Sequence, residues 1–276
     1  MLRLIHQIFA YRELLWSLVQ RDLKARYKVA TLGFLWSLIR PLFTMVILTI
    51  VFSKVFRFPI DMNVSYPLYL LCALLPWGFH ITGVNNAANS LLHNANLIKK
   101  VKLPREVFPV SAVIAEFINL LLSFIVLFVF LIIFRVPFSL FILWLPILLA
   151  IQFIFIIGLG LITSALNVFF RDTVAILDAI MTAWFYLTPI FYPISLAKQH
   201  LPEPFYNLFL LNPLVPLITG YRKALLGNSY TTNATFGPVF SEWFWFLGIT
   251  AGIAFITLWF GIIIFRSFDS QFVDEL

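Results

Sequence analysis

Long apolar runs fill most of this chain, and short polar or proline-marked segments separate them. A stretch of eighteen or more apolar residues reads as a membrane-spanning helix, because about 20 residues at 1.5 Å rise cross the hydrocarbon core. Six such spans are predicted, at Val29–Ser53, Tyr66–Leu92, Val107–Phe134, Leu140–Val168, Thr173–Tyr192 and Trp243–Phe265. A different pattern precedes them. In YRELLWSLV (residues 11–19), Tyr11, Leu14, Leu15, Leu18 and Val19 recur at helical spacing, with Glu13 and Gln20 on the other face. The basic cluster Arg21, Lys24, Arg26 and Lys28 follows, interrupted by Asp22. Such a segment lies in the headgroup layer more readily than it spans, and it also suits a basic flank that sets orientation. The two readings are compatible.

The predicted fold is therefore an all-α integral membrane protein. Residues 1–28 form an amphipathic interface helix and residues 29–276 a six-span transmembrane domain. Residues 193–242 are the ambiguous piece. FYNLFLLNPLVPLI (Phe205–Ile218) is apolar, but Asn212-Pro213 and Pro216 break a continuous span. Two short helices in or dipping into the outer leaflet fit better than a seventh span. Backbone of that kind must be buried in protein or face a water-filled cavity. Gly227–Pro238 then reads as an exposed polar loop. No internal repeat is evident, so an inverted-repeat carrier finds no support.

Composition agrees with this pattern. The 276 residues are 62% hydrophobic and 11% charged, against roughly 45–50% and about 25% in soluble proteins. A net charge of +7 raises the question of nucleic acid, but the cations are dispersed among loops, and no nucleic-acid partner is expected. Their placement reports orientation instead. Six Lys or Arg precede Val29 and four lie in 93–106, whereas 54–65 holds two, 135–139 one and the long 193–242 segment three. The positive-inside rule puts both termini in the cytoplasm. Arg3, Arg12 and Glu13 leave no short apolar run with a cleavage site, so no signal peptide is expected. Cys72 has no partner for an intrachain disulfide and is expected to pack as a small apolar residue.

Candidate chemistry is sparse. His6, His80, His93 and His200 fall on separate segments, which argues against a metal site. The chain has no Gly-Lys pair and hence no G-x-x-x-x-G-K-[ST] loop. No cofactor and no enzymatic activity are expected, and ATP-driven work must come from another polypeptide. The most informative segment is NLIKKVKLPREVF (Asn96–Phe108), which sets Lys99, Lys100, Lys102 and Arg105 with Pro104 between two long spans. A short basic, proline-punctuated loop of this kind (94–106) suits docking to a soluble partner.

Charges within the bilayer are costly and draw attention. Arg40 and Glu116 lie at matching depths along the first and third spans, which predicts an Arg40–Glu116 ion pair, as a structural clamp or as part of a pathway. Asp178 lies near the start of the fifth span. Thr82, Asn86, Asn89 and His93, with Asn85 adjacent, form a polar stripe on the second span. Stripes of this type hold helices together or line a pathway. Trp77, Trp184, Tyr186, Phe191, Tyr192, Trp243 and Trp245 lie near the outer ends, where interfacial belts form. Aromatic rings there can also stack on sugars.

Five blocks, RDLKARYKVATLGFLWSLIRPL (Arg21–Leu42), NLIKKVKLPREVFP (Asn96–Pro109), LNVFFRDT (Leu166–Thr173), LTPIFYP (Leu187–Pro193) and NPLVPLITGYRKALLG (Asn212–Gly227), resemble the membrane subunit of polysaccharide ABC exporters. These type-2 ABC permeases export lipid-linked O-antigen, wall teichoic acid or capsular polysaccharide. The resemblance runs over nearly the full length and implies a homodimer in the bacterial cytoplasmic (inner) membrane. Each half would dock one separate ATPase subunit, two per complex, and that partner would bind ATP and Mg. By the resemblance, Asn96, Leu97, Ile98, Lys99, Lys100, Lys102 and Arg105 form the coupling helix. The 11–28 helix flanks a lateral lipid gate, and short helices within Pro202–Leu226 stand at the external mouth. The channel is lined partly by aromatics, with Asn86, Asn89, Trp184, Tyr186 and Tyr192 as candidates. The cargo would be a polyprenyl-diphosphate-linked polysaccharide, and Arg21, Lys24, Arg26 and Lys28 stand where they can bind its diphosphate or ordinary anionic membrane lipid. Three other readings compete. One is a type-2 ABC exporter of drugs or small lipids. Another is a membrane enzyme acting on a polyprenyl lipid, which calls for clustered acids or histidines. The last is a proton-driven carrier using Arg40 and Glu116 as a relay.

Overall fold

The computed structural model describes residues 10–28, 33–55, 64–101, 103–227 and 240–276, and all secondary structure among them is helical. Helix α1 spans Arg12–Lys28, and α2 spans Gly33–Thr49 and runs on through a wider π-type turn at Ile50–Val55. Helix α3 (Tyr66–His93) is followed at once by the short α4 (Ala95–Lys100) and then by α5 (Val107–Ile133). A 3-10 turn at Leu140–Trp144 leads into α6 (Leu145–Phe169), and α7 covers Thr173–Tyr186. Three short helices follow, α8 (Ile194–His200), α9 (Glu203–Leu210) and α10 (Leu214–Leu226). The long α11 (Phe240–Phe268) and a last turn, α12 (Phe272–Glu275), complete the chain.

Among the described residues, four elements are long and apolar enough to cross a membrane: Tyr66–His93, Val107–Ile133, Leu140–Phe169 and Trp243–Phe268. The predicted first and fifth spans correspond to shorter apolar helices, Ile39–Ser53 and Thr173–Tyr186. The fifth is the clearer departure from expectation. Its helix stops at Tyr186, so its 14 residues cover about 21 Å, short of the ~30 Å hydrocarbon core. Leu187–Pro193 is apolar enough to look like more helix. Pro189 and Pro193, however, lack the N–H that continuation needs, and the segment folds back on the bundle.

The 193–242 region contains three short helices among its described residues, where two were expected. Asn212-Pro213 separates α9 from α10, as its chemistry predicts. Pro216 is tolerated because it falls in the first turn of α10, where its missing N–H would have no intrahelical partner. Helix α10 ends at Gly227, whose φ of +56° suits glycine. A Cβ there would also lie 2.6 Å from that of Ser139. The rest of the predicted loop, 228–238, lies outside the described residues.

Helix α3 is the central post. Of its span, 78% is buried, against 28–33% for the other three long helices. Close approach of its neighbours relies on small residues. A Cβ on Gly160 of α6 would sit 2.7 Å from that of Ala87 on α3, and one on Gly83 2.9 Å from Ile156. On the other side of α6, a Cβ at Gly158 would reach the Leu258 nitrogen at 2.6 Å, and one at Gly261 the Gly158 carbonyl oxygen at 2.5 Å. The α6 and α11 backbones therefore touch. Gln152, 1% exposed, ties three elements together, accepting from the Tyr221 hydroxyl at 2.7 Å and donating to the Pro76 carbonyl at 2.8 Å.

Gly158→Val is expected to force α6 and α11 apart and to cost about 1–3 kcal/mol or more, as overpacking does. Gly252→Ala, at a site with nothing near its Cβ, is the control. Fluorescence size-exclusion after graded heating should show an earlier loss of the folded peak for Gly158→Val alone.

Candidate functional site

The polar stripe on α3 meets a partner on one neighbouring helix after another. Asn86 donates to Glu116 Oε1 of α5 at 2.5 Å, and the Thr82 hydroxyl lies 3.0 Å from Glu116 Oε2. Asn85 donates to Asp178 of α7 at 3.0 Å. Asn167 of α6 donates to the Ala88 carbonyl at 3.0 Å and reaches Asn89 Oδ1 at 3.4 Å. Glu116 is only 2% exposed, and a carboxylate so placed is tolerated because these donors replace water. The stripe thus joins α3 to three helices. Asn86 is nonetheless exposed along one side and Asn89 half-buried.

The predicted Arg40–Glu116 pair does not form. Arg40 is exposed on the flank of α2, and among the described residues it makes no ion pair. The reason is register. Pro41 and Leu42 share a crevice with Leu71, Leu75, Ser123 and Phe130, so Arg40 sits near the level of Ser123 on α5. Seven residues separate Ser123 from Glu116, about 10 Å along the helix. Counting residues from each span's predicted start placed the two charges at equal depth, but α2 and α5 are offset along their axes by about two turns.

At the end of the bundle that carries α4, three elements are bolted together. Ile98 of α4 is buried with Leu15, Leu18 and Val19 of α1 and with Val107 and Phe108 of α5. Asn96, Lys99 and Lys100 stand exposed, and Leu97 is half-buried; Lys102 lies outside the described residues. Arg105 is not free: it donates to Asp269 at 2.9 Å, while the neighbouring Glu106 receives Arg266 at 3.4 Å. Two crossed ion pairs therefore fasten the turn after α4 to the end of α11. Phe272 of α12, fully buried, packs on Phe265 and Phe169 with ring centres 5.1 and 5.9 Å apart.

Helix α1 buries Leu15, Leu18 and Val19, half-buries Leu14, and leaves Tyr11 exposed together with Glu13 and Gln20. Arg21 donates to Asn94 at 2.6 Å and pairs with Asp22 at 2.8 Å, while Lys24 is exposed. The side chains of Arg26 and Lys28 lie outside the described residues. Between α1, α3 and α5 there is a cavity of about 200 Å³.

The opposite end is organised by a residue that sequence reading did not single out. Arg222, 1% exposed, donates to the carbonyls of Pro189 and Ile190 at 2.6 Å each and of Tyr69 at 3.3 Å. Its guanidinium lies 3.5 Å over the Tyr69 ring. Tyr66 donates to the Phe191 carbonyl at 2.6 Å and Tyr69 to that of Tyr192 at 2.8 Å. Asn212 receives the Trp184 indole N–H at 2.9 Å and donates to the Leu187 carbonyl at 3.2 Å. The non-helical Leu187–Tyr192 segment is thus held almost carbonyl by carbonyl, as backbone in a low-dielectric setting requires. An arginine beside Tyr221 in an apolar helix was the available signal. Lys223, next along, sits 4.7 Å from the Phe141 ring, and its burial lowers its pKa from the usual lysine value. Of the predicted channel aromatics, Trp184 packs inward on His80 at 5.0 Å between ring centres, Tyr192 is half-buried, and Tyr186 is 62% exposed.

The chain is thus a bundle of apolar helices with a separately fastened basic helix-turn at one end. Residues 13–226 match the ABC-2 type transporter family, and the chain belongs to that family. It is 32% identical over 277 residues to the O-antigen export system permease protein RfbA of Myxococcus xanthus, covering all of both chains. It is 33% identical over 265 residues to the protein of that name from Klebsiella pneumoniae, covering 96% of this chain and 95% of the relative. The polysialic acid transport protein KpsM of Escherichia coli is 20% identical over 261 residues, covering 91% and 92%.

Arg222→Gln is expected to leave at least two buried carbonyls unpaired and to destabilise the protein by about 3 kcal/mol or more, since bonds to a charged donor are worth ~1.5–3 kcal/mol each. Lys223→Gln, on the half-buried neighbour, should shift stability far less. Thermal melts of the two purified variants check this ordering.

Proposed function

We propose that the chain is the permease subunit of an ATP-driven exporter that moves lipid-linked cell-envelope polysaccharide, of O-antigen or teichoic acid type, across the bacterial inner membrane. The observation that carries this reading is end-to-end similarity, at 32–33% identity, to permeases named for O-antigen export. A hydroxyl-rich polymer cannot enter hydrocarbon, because each stripped polar group costs several kcal/mol. It needs a continuous polar or aromatic-lined conduit. The alternative, an exporter of drugs or small lipids, is favoured by no particular observation.

In this reading the α4 end is cytoplasmic, both termini lie there, and α2 and α7 cross the membrane as the first and fifth of six spans, the short α7 in a locally thinned bilayer. Two copies assemble around the conduit. In support, α7 buries only Leu177 and Met181, Asp178 stays exposed beside the Asn85 amide it accepts from, Thr182 is exposed, and Arg40 is exposed on α2. Charged groups on a lipid-facing surface are costly; a second copy or a wet lumen relieves them. One ATPase subunit, carrying ATP and Mg, docks on α4 of each copy through Asn96, Lys99, Lys100 and the adjoining Lys102. Arg105 acts differently from its neighbours, anchoring the turn to α11. Arg21, Lys24, Arg26 and Lys28 serve the carrier diphosphate, and Asn86, Asn89, Tyr186 and Tyr192 contribute to the conduit.

The test is the doubly charge-reversed variant Lys99→Glu/Lys100→Glu. Both side chains are exposed, so insertion and yield should be normal. Co-purification of the ATPase subunit and surface polymer should both fall more than tenfold. Undiminished ATPase capture and export would count against docking through α4.

A further inference from the structure

One polar side chain at the centre of the bundle stands among rings that offer it nothing. His80 of α3 is fully buried, and neither of its ring nitrogens has a hydrogen-bond partner among the described residues. In either tautomer an imidazole carries one N–H donor and one acceptor nitrogen, so both needs go unmet. Phe155 of α6 lies nearly parallel to it at 5.8 Å between ring centres, Trp77 lies at 5.6 Å, and Trp184 of α7 meets it edge to face at 5.0 Å. A buried donor or acceptor without a partner is destabilising. Phenylalanine would offer a ring of similar breadth with no polar atom. The histidine therefore weakens the seam in which it sits, where α3, α6 and α7 meet.

Helix α7 is lightly held on that seam, burying only Leu177 and Met181. Toward its end the hold is firm. The Trp184 indole donates to Asn212, which donates in turn to the Leu187 carbonyl, and Arg222 holds the carbonyls of Pro189 and Ile190 just beyond. Toward its start, among the described residues, the one side-chain hydrogen bond from α7 to another helix is that of Asp178 with Asn85, at an exposed position. Trp184 lies six residues after Asp178, about 9 Å along the helix. An element anchored at one end and clasped by one exposed contact toward the other is arranged to swing. Segments with few buried apolar contacts open locally at low free energy.

We propose that α7 swings on its Trp184–Asn212 anchor during transport, that the Asp178–Asn85 contact parts first, and that His80, at the top of the opened seam, then gains water as its partner. The unmet imidazole makes the closed seam less stable and is relieved when the seam opens, which brings the two states closer in free energy. The proposal rests on the permease reading above for what drives the motion. The weakness of the seam belongs to this chain alone.

The seam is tested on the purified full-length chain in lipid nanodiscs by comparing thermal midpoints. His80→Phe should raise the midpoint by at least about 2 °C, as replacing a buried unmet group by an apolar ring does. His200→Phe, at an exposed position, is the control and should change it little. A midpoint that His80→Phe lowers or leaves unchanged overturns the proposal, because the imidazole would then not weaken the closed seam. The swing is tested on the chain reconstituted with its ATPase subunit and treated briefly with diethyl pyrocarbonate, which acylates accessible imidazole nitrogens, with each histidine followed by peptide mass spectrometry. His80 should be modified at least about fivefold faster during ATP hydrolysis than without ATP, since its access tracks the population of the open form. His200 should react equally in both. Protection of His80 that persists during hydrolysis, or rapid modification without ATP, overturns the swing and leaves the permease reading standing. An ATPase subunit that does not associate with the chain overturns that reading and the driven swing with it, while the midpoint comparison still judges the seam.

Discussion

A polar group inside a bilayer has no water to fall back on, so the protein itself must supply its partner. That constraint shapes this molecule more than any single apolar contact. Glu116 is met by Asn86 and Thr82, Gln152 by Tyr221 and the Pro76 carbonyl, and Arg222 by three backbone carbonyls and an aromatic face. Each partnership crosses between elements, and each therefore fixes how two elements sit. Apolar packing then fills the space between them. Because lipid tails are as apolar as leucine side chains, such packing gains little from the hydrophobic effect and relies on close fit. The backbone contact between Gly158 and Gly261 is the clearest instance.

The two ends of the bundle answer the constraint differently. Around Arg222, the donors lock an irregular segment whose backbone would otherwise be unpaired. Around α4, ion pairs and buried side chains make a stiff joint. Ile98 roots α4 among α1 and α5, and the Arg105–Asp269 and Glu106–Arg266 pairs carry the joint to α11. In the exporter proposed above, a push on α4 would be delivered to α1, α3, α5 and α11 together. A partner's ATP-driven motion would thereby reach both Glu116 on α5 and the bundle's far end.

Much of this was legible in the sequence, for identifiable reasons. The spans that became α3, α5, α6 and α11 announce themselves by sustained hydropathy, and the 3.6-residue spacing of Leu15, Leu18 and Val19 marked the buried face of α1. Composition could not find the end of α7, because Leu187–Tyr192 is as greasy as a helix and only its tertiary donors reveal that it is a held turn. Nor could depth counting find the partner of Glu116. Relative register between helices is set by side-chain fit, and an error of two turns moved Arg40 away from it. Asn86 and Thr82 were visible as a polar stripe, yet nothing in the stripe alone says which helix it faces. Arg222 is the plainest omission: its acceptors lie 32 to 153 residues away in the chain, and no local pattern encodes that.

The central claim is that this polypeptide supplies a passage but no power. It is tested most directly by loading fluorescent lipid-linked glycan into the outer leaflet of inside-out proteoliposomes and measuring its delivery to the lumen. With the permease alone, ATP should produce no transfer above protein-free vesicles; adding the ATPase subunit should make transfer ATP-dependent. Full ATP-dependent delivery by the purified chain without a companion, or none when both subunits and ATP are present, would contradict the account.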